Sequence, residues 1–234
     1  MITKLVLPNG TPVQIAGDVN APRALIVVQE AFGVNDHIRE VAERFAAQGY
    51  YAVAPEFFHR SGSPEVAYDD FPAAMAPMGE LNKEGLTEDL LAASAFLVEA
   101  GYPAAATAVV GYCMGGTVAF YAATLGIVGA AASFYGGGVE TGRFGLAPLL
   151  ELASDLQSAW IGLYGDLDKG IPVEQVEALR AAVAATSRPT EVHRYADAEH
   201  GFSCDARVAV YNEAAANDAT SKTLRFFAEH VATK

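Results

Sequence analysis

The sequence predicts an α/β protein built on a mostly parallel central sheet with helices on both faces. Three observations predict it. Short β-branched runs alternate with segments of helical period along the chain, the pattern of parallel strands joined by right-handed crossovers. From Gly101 to Val139 there is no Asp, Glu, Lys, Arg or His, which fits a strand, helix and strand buried at the middle of a covered sheet. Within that stretch Val109-Val110 leads through Gly111-Tyr112-Cys113-Met114-Gly115-Gly116 into Thr117-Val118-Ala119-Phe120-Tyr121. That is a strand, a sharp turn and a helix, with a thiol at the apex.

Taken in order, residues 3–7 and 12–16 are short β runs around Asn9-Gly10, a hairpin signal. Ala24 to Gln29 is a buried strand with a carboxylate, Glu30, at its C-terminal end. Residues 36–48 have helical period, with Ile38, Val41, Phe45 and Ala46 on one face and Gly49 as the stop. Tyr50 to Ala54 is a strand closed by Pro55. Residues 56–85 carry Pro64, Pro72 and Pro77 and read as loop with short helical pieces. Thr87 to Glu99 is a helix with Thr87 as candidate cap. The strand of 106–111, the turn and a helix to about 125 follow, then a strand from Gly129 to Tyr135. Trp160 to Tyr164 is a strand, followed by a helix to about 186. Glu191 to Tyr195 is the last strand, and a helix covers about 207–232. No repeat or low-complexity tract interrupts this, and residues 1–234 are expected to form a single domain.

Composition narrows the function classes. Apolar residues make up 52% of the chain and charged residues 18%, a globular balance. The formal charge of −13 disfavours nucleic acid and anionic membrane surfaces as partners. The charge-free stretch is broken by Pro103 and by repeated glycines, so it does not read as a membrane span. The N-terminal residues lack the apolar core of a signal peptide. Cys113 and Cys204 are the two cysteines, too few for a disulfide framework and without Cys/His zinc spacing, so no metal is expected. A reduced, cytoplasmic setting fits.

Glu30, Cys113, Asp168 and His200 all fall just after predicted strands, so they should share the carboxyl rim of the sheet, where reactive groups collect. Nucleophile, acid and histidine in that chain order is the order of the α/β-hydrolase fold. His200 can take the thiol proton and return it to the leaving group. Asp168 can fix the imidazole tautomer. It competes with Asp166, and the Gly-x-x-Asp-x-x-Ile-Pro register favours Asp168. The amides of Met114 and Ala31 are the expected oxyanion donors.

With those motifs in place, the chain resembles the dienelactone hydrolase family over nearly its whole length. The matches are Gln29 to Asn35, Gly49-Tyr50 through Ala54-Pro55, Gly111 to Gly116, Phe134-Tyr135-Gly136, Gly165 to Pro172, and His200-Gly201-Phe202. The resemblance implies a triad of Cys113, His200 and Asp168, with Glu30 touching the resting thiol and accepting its proton when substrate arrives. It also implies substrate contacts at Phe32, Tyr135 and Phe202. Family members acting on dienelactone are expected to hold its carboxylate with arginines, one before the long helix and one four residues past the triad histidine. Here no Lys or Arg lies between Arg60 and Lys83, and the residue four past His200 is Cys204. Arg207 and Arg143 are the other candidate cations.

The expected activity is hydrolysis of a small activated ester or lactone through a thioester acyl-enzyme, without cofactor, by a monomer or small homo-oligomer. A broader carboxylesterase or thioesterase is the alternative within the fold. A thiol-redox protein using Cys113 and Cys204 is the alternative outside it.

Overall fold

The alternating runs become β1 (Thr3–Val6), β2 (Pro12–Ala16), β3 (Arg23–Val28), β4 (Tyr50–Pro55), β5 (Thr107–Tyr112), β6 (Ala130–Phe134), β7 (Ala159–Gly165) and β8 (Thr190–Tyr195). The computed structural model describes residues 2–234; Met1, included in the single unit expected from the sequence, lies outside them. The strands form one eight-stranded sheet in the order β1-β2-β4-β3-β5-β6-β7-β8. β1–β2 and β2–β4 are antiparallel, and every other pair is parallel. Every residue of β5, β6 and β7 is buried, as the long charge-free stretch requires.

The helices are α1 (Asp36–Ala47), α2 (Phe71–Gly79), α3 (Lys83–Glu99), α4 (Met114–Thr124), α5 (Leu149–Leu152), α6 (Val173–Ala184) and α7 (Glu213–His230). The chain moves from β3 to β4 one way along the sheet and from β4 through β8 the other. Right-handed crossovers therefore put α1 on one face and α3, α4 and α6 on the other. α7 returns beside α1, where Val41 and Phe45 share a groove with Thr220 and Leu224. The strand order reverses between β3 and β5, the place where open α/β sheets gather their ligands.

Three boundaries differ from the sequence reading, each for a local reason. α3 begins four residues before Thr87, because Asn82 caps it by accepting from the Gly85 amide at 2.9 Å. The Thr87 hydroxyl instead donates back to the Lys83 carbonyl at 2.6 Å. The proline-rich segment contains α2, in which Pro72 sits in the first turn, where no intrahelical donor is lost, and Pro77 lies inside the helix close to its end. The last helix starts at Glu213, capped by Asn212, after a run of turns. Among the described residues no helix is long and apolar enough to cross a membrane.

Candidate active site

Cys113 links β5 to α4 with φ +56° and ψ −119°, a conformation that costs a non-glycine residue about 1–3 kcal/mol. The surrounding glycines are a steric requirement. A Cβ on Gly111 would lie 1.9 Å from the Gly115 carbonyl oxygen, and one on Gly115 would lie 2.5 Å from the carbonyls of both Val28 and Gln29. Only bare backbone lets the first turn of α4 press against the end of β3. A buried chain of bonds fixes that turn from below: the Trp160 indole donates to Ser133 Oγ at 2.9 Å, and Ser133 donates to the Gly116 carbonyl at 2.7 Å. The thiol is thus held at the N-terminus of α4, where the helix dipole and free amides favour negative charge.

His200 Nδ1 lies 2.6 Å from Asp168 Oδ2, and the Gly170 amide donates to Asp168 Oδ1 at 2.8 Å. With Nδ1 engaged, the other ring nitrogen is left for Cys113, which lies close enough to act on the imidazole. Burial pulls the imidazole down, but its bonds to Asp168 and Cys113 outweigh this and push it up to about 10. Asp166 is occupied elsewhere, both its oxygens taken by Arg194 at 2.7 and 2.8 Å. Tyr135 and Phe202 are fully buried and lie behind the site rather than in the cavity wall. The Tyr135 ring is 5.0 Å from that of His200, and Phe202 packs on Tyr135 at 5.4 Å. Tyr135, like Cys113, has a positive φ, +41°, a second strained strand end that no sequence motif announces.

A cavity of about 720 Å³ opens over the thiol, with Ala31, Phe32, Cys113, Met114, Asp168 and His200 in its wall. The Ala31 amide has no main-chain acceptor among the described residues, and Met114, as the first residue of α4, has none within the helix. Both are therefore available to a substrate oxygen. Phe71, Met75 and Met78 of α2 form an apolar wall. Their i, i+4, i+7 spacing is helical, a signal hidden by the prolines between them. Arg143, Lys169 and Arg207 also line the cavity. Neither arginine forms an ion pair with any described residue, and Arg207 instead lies over the rings of Phe32 and Tyr68 at 5.6 and 6.0 Å.

Glu30 is 1% exposed. Its Oε1 accepts from the Tyr135 hydroxyl at 3.2 Å and its Oε2 has no partner, while one carboxylate oxygen lies within 4.8 Å of ligand-type atoms of Cys204 and His37. No hydrogen bond joins Glu30 to Cys113 among the described residues; the carboxylate is held through Oε1 by the Tyr135 hydroxyl. Cys204 is buried and its thiol is pushed up to about 12, by burial first and by Glu30 second. That is a poor starting point for thiol-redox chemistry, which proceeds through the thiolate.

Comparison with known proteins gives a consistent result. A family model described as "Dienelactone hydrolase family" matches residues 12–231. The chain is 35% identical over 209 residues to a Salmonella typhimurium protein named "Putative carboxymethylenebutenolidase", covering 88% of this chain and 77% of that one. A Synechocystis protein of the same name is 34% identical over 236 residues, covering 96% and 95%. Among solved structures, a "Putative Dienelactone Hydrolase" from Klebsiella pneumoniae superposes with a TM-score of 0.88 at 31% identity, covering 98% of this chain and 99% of the other.

Proposed function

The chain belongs to the dienelactone hydrolase family, and on that premise we propose that it hydrolyses an activated ester or lactone of the dienelactone type with Cys113, His200 and Asp168. The observation that carries this is the 2.6 Å contact between His200 and Asp168, set beside a nucleophile on a strained elbow under the cavity. Cys113 Sγ attacks the carbonyl carbon as a thiolate, and the displaced electron pair goes to the carbonyl oxygen. The amides of Met114 and Ala31 receive that oxyanion. On collapse the C–O bond breaks, and His200 delivers its proton to the departing oxygen. Water then attacks the thioester with His200 as base, and the thiolate leaves.

The sulfur chemistry selects the substrate. A thiolate is itself a good leaving group, so the tetrahedral intermediate goes forward only when the substrate's leaving oxygen is comparably good. Enol and aryl esters qualify. Glu30 is assigned the proton of the resting thiol, a role its unpaired Oε2 leaves it free to take. In a protein of formal charge −13, two cavity arginines without ion pairs support a substrate carboxylate. Arg143 and Arg207 then replace the clamp that the sequence does not match. The whole chain is taken as one catalytic unit working in the cytoplasm.

The test compares kcat/KM on a dienelactone and on a neutral aryl ester, for the wild type and for Arg143→Leu and Arg207→Leu. A charge-assisted hydrogen bond contributes about 1.5–3 kcal/mol, so each variant should lose roughly 10–100-fold on the lactone alone. Equal losses on both substrates count against the clamp. Turnover of the neutral esters but not of the lactone makes the protein a broader esterase, a reading favoured by the apolar wall of Phe71, Met75 and Met78.

A further inference from the structure

Behind the nucleophile, Glu30 converges with two side chains that the proposed hydrolysis does not use. Glu30 comes from the end of β3, His37 from the first turn of α1 and Cys204 from the loop after β8. One ligand-type atom from each lies within 4.8 Å of the other two, and all three residues are buried. Two of those residues carry buried polar atoms without a partner, Glu30 Oε2 and His37 Nε2. Leaving such atoms unpaired costs about 1–3 kcal/mol each, so a cluster of two suggests that something binds both.

We propose that Glu30, His37 and Cys204 form a binding site for a divalent ion of the zinc type. The donor set is a carboxylate oxygen, an imidazole nitrogen and a thiolate sulfur, the ligands that zinc accepts in tetrahedral sites. With bonds of about 2.0–2.3 Å, tetrahedral ligand atoms sit roughly 3.3–3.7 Å from one another. Here none of the three pairs makes a direct hydrogen bond, yet all lie within 4.8 Å. That bound admits the spacing of tetrahedral ligands.

The surrounding contacts support the assignment. His37 Nδ1 lies 3.1 Å from Asp205 Oδ1, so the ring donates its Nδ1–H outward and points the Nε2 lone pair inward. Arg44 holds the other oxygen of Asp205 at 2.6 Å. A histidine oriented by an outer carboxylate is the usual second layer of a metal site. Loading expels the Cys204 thiol proton to solvent, and the thiolate and carboxylate then balance the two charges of the ion. His37 and Cys204 take no part in the proposed hydrolysis and Glu30 is shared with it, so the site is tested by metal readouts that do not depend on turnover.

The experiment uses the full chain, stripped with chelator and dialysed against Zn²⁺ or Co²⁺ alone. The expected result is one zinc retained per chain and, with cobalt, a near-ultraviolet thiolate-to-metal absorption that survives Cys113→Ser and disappears in Cys204→Ala. Asp205→Asn, at the half-exposed outer edge, should keep the fold by circular dichroism and weaken zinc binding by about 10–100-fold. The proposal is overturned if the wild type retains no zinc and shows no thiolate band. It is equally overturned if the band persists in Cys204→Ala and is lost in Cys113→Ser, which places the metal on the nucleophile.

Discussion

Replacing Asp168 by asparagine separates the two acids that compete for the triad position. The Asp168 carboxylate is 3% exposed and faces His200 Nδ1 at 2.6 Å, while its second oxygen accepts from the Gly170 amide. Both neighbours are donors, and an amide has only one acceptor oxygen. Turned to keep the Gly170 contact, asparagine aims its NH₂ at the ring and draws the imidazole proton onto the other nitrogen. His200 is then left neutral, without the imidazolium that its raised proton affinity describes and that pairs with the thiolate. Turned the other way, it sets donor against donor at Gly170 and still removes the charge that supports the imidazolium. Taking one partner from a buried ion pair costs about 3–5 kcal/mol, which is roughly 10²–10⁴-fold in kcat/KM. Asp166 is the control: it is bound by Arg194 and 21% exposed, so Asp166→Asn should cost about 0.2–1 kcal/mol of stability and leave turnover within about twofold. The assay is kcat/KM on an activated aryl ester near neutral pH, alongside the pH profile of Cys113 alkylation. The reasoning fails if Asp168→Asn retains more than about a tenth of wild-type activity, or if Asp166→Asn falls as far.

Two further outcomes follow from the same geometry. Gly115→Ala drives a Cβ to 2.5 Å from two β3-end carbonyls, so urea unfolding should show a loss of about 1–3 kcal/mol or more and turnover should drop with it. Gly79→Ala, with nothing within 4 Å, should be neutral or mildly stabilising, and equal losses at both positions would remove the steric argument. For pH, His200 is raised in the fold to about 10 from an ordinary 6.5. A raised value means the folded protein binds that proton more tightly, so the stabilisation is complete below about pH 6.5 and is lost as pH climbs through about 10. The unfolding free energy of the wild type minus that of His200→Gln should therefore shrink across that interval. A difference that stays flat with pH speaks against a protonated imidazole.

Much of the framework was legible because it is written in neighbouring residues. The strand runs of 24–29, 50–54, 106–111, 129–135, 160–164 and 191–195 all correspond to strands of the sheet, with ends shifted by a residue or two. The elbow was readable because one of the backbone clashes it avoids, Gly111 against Gly115, lies within six consecutive residues. What was hidden depends on pieces far apart in the chain. α2 was expected only as one of the short helical pieces of 56–85, without bounds, because prolines masked its period. Arg143 and Arg207 were named as candidate cations, but no local pattern marks an arginine as unpaired or puts it in a cavity wall. The Glu30–His37–Cys204 cluster matches no metal-ligand spacing, since its members come from β3, α1 and the final loop.

The sequence by itself determined the fold class, the strand order of the reactive residues and the chemical type at each strand end, because periodicity, turn sterics and functional groups are local properties. Only the tertiary structure decided which carboxylate faces which partner. Asp168 meets His200 while Asp166, two residues away, meets Arg194, and Glu30 meets Tyr135 beside His37 and Cys204. Those choices depend on the direction a side chain leaves its strand and on what the neighbouring strands bring to meet it, and both are settled when the sheet assembles.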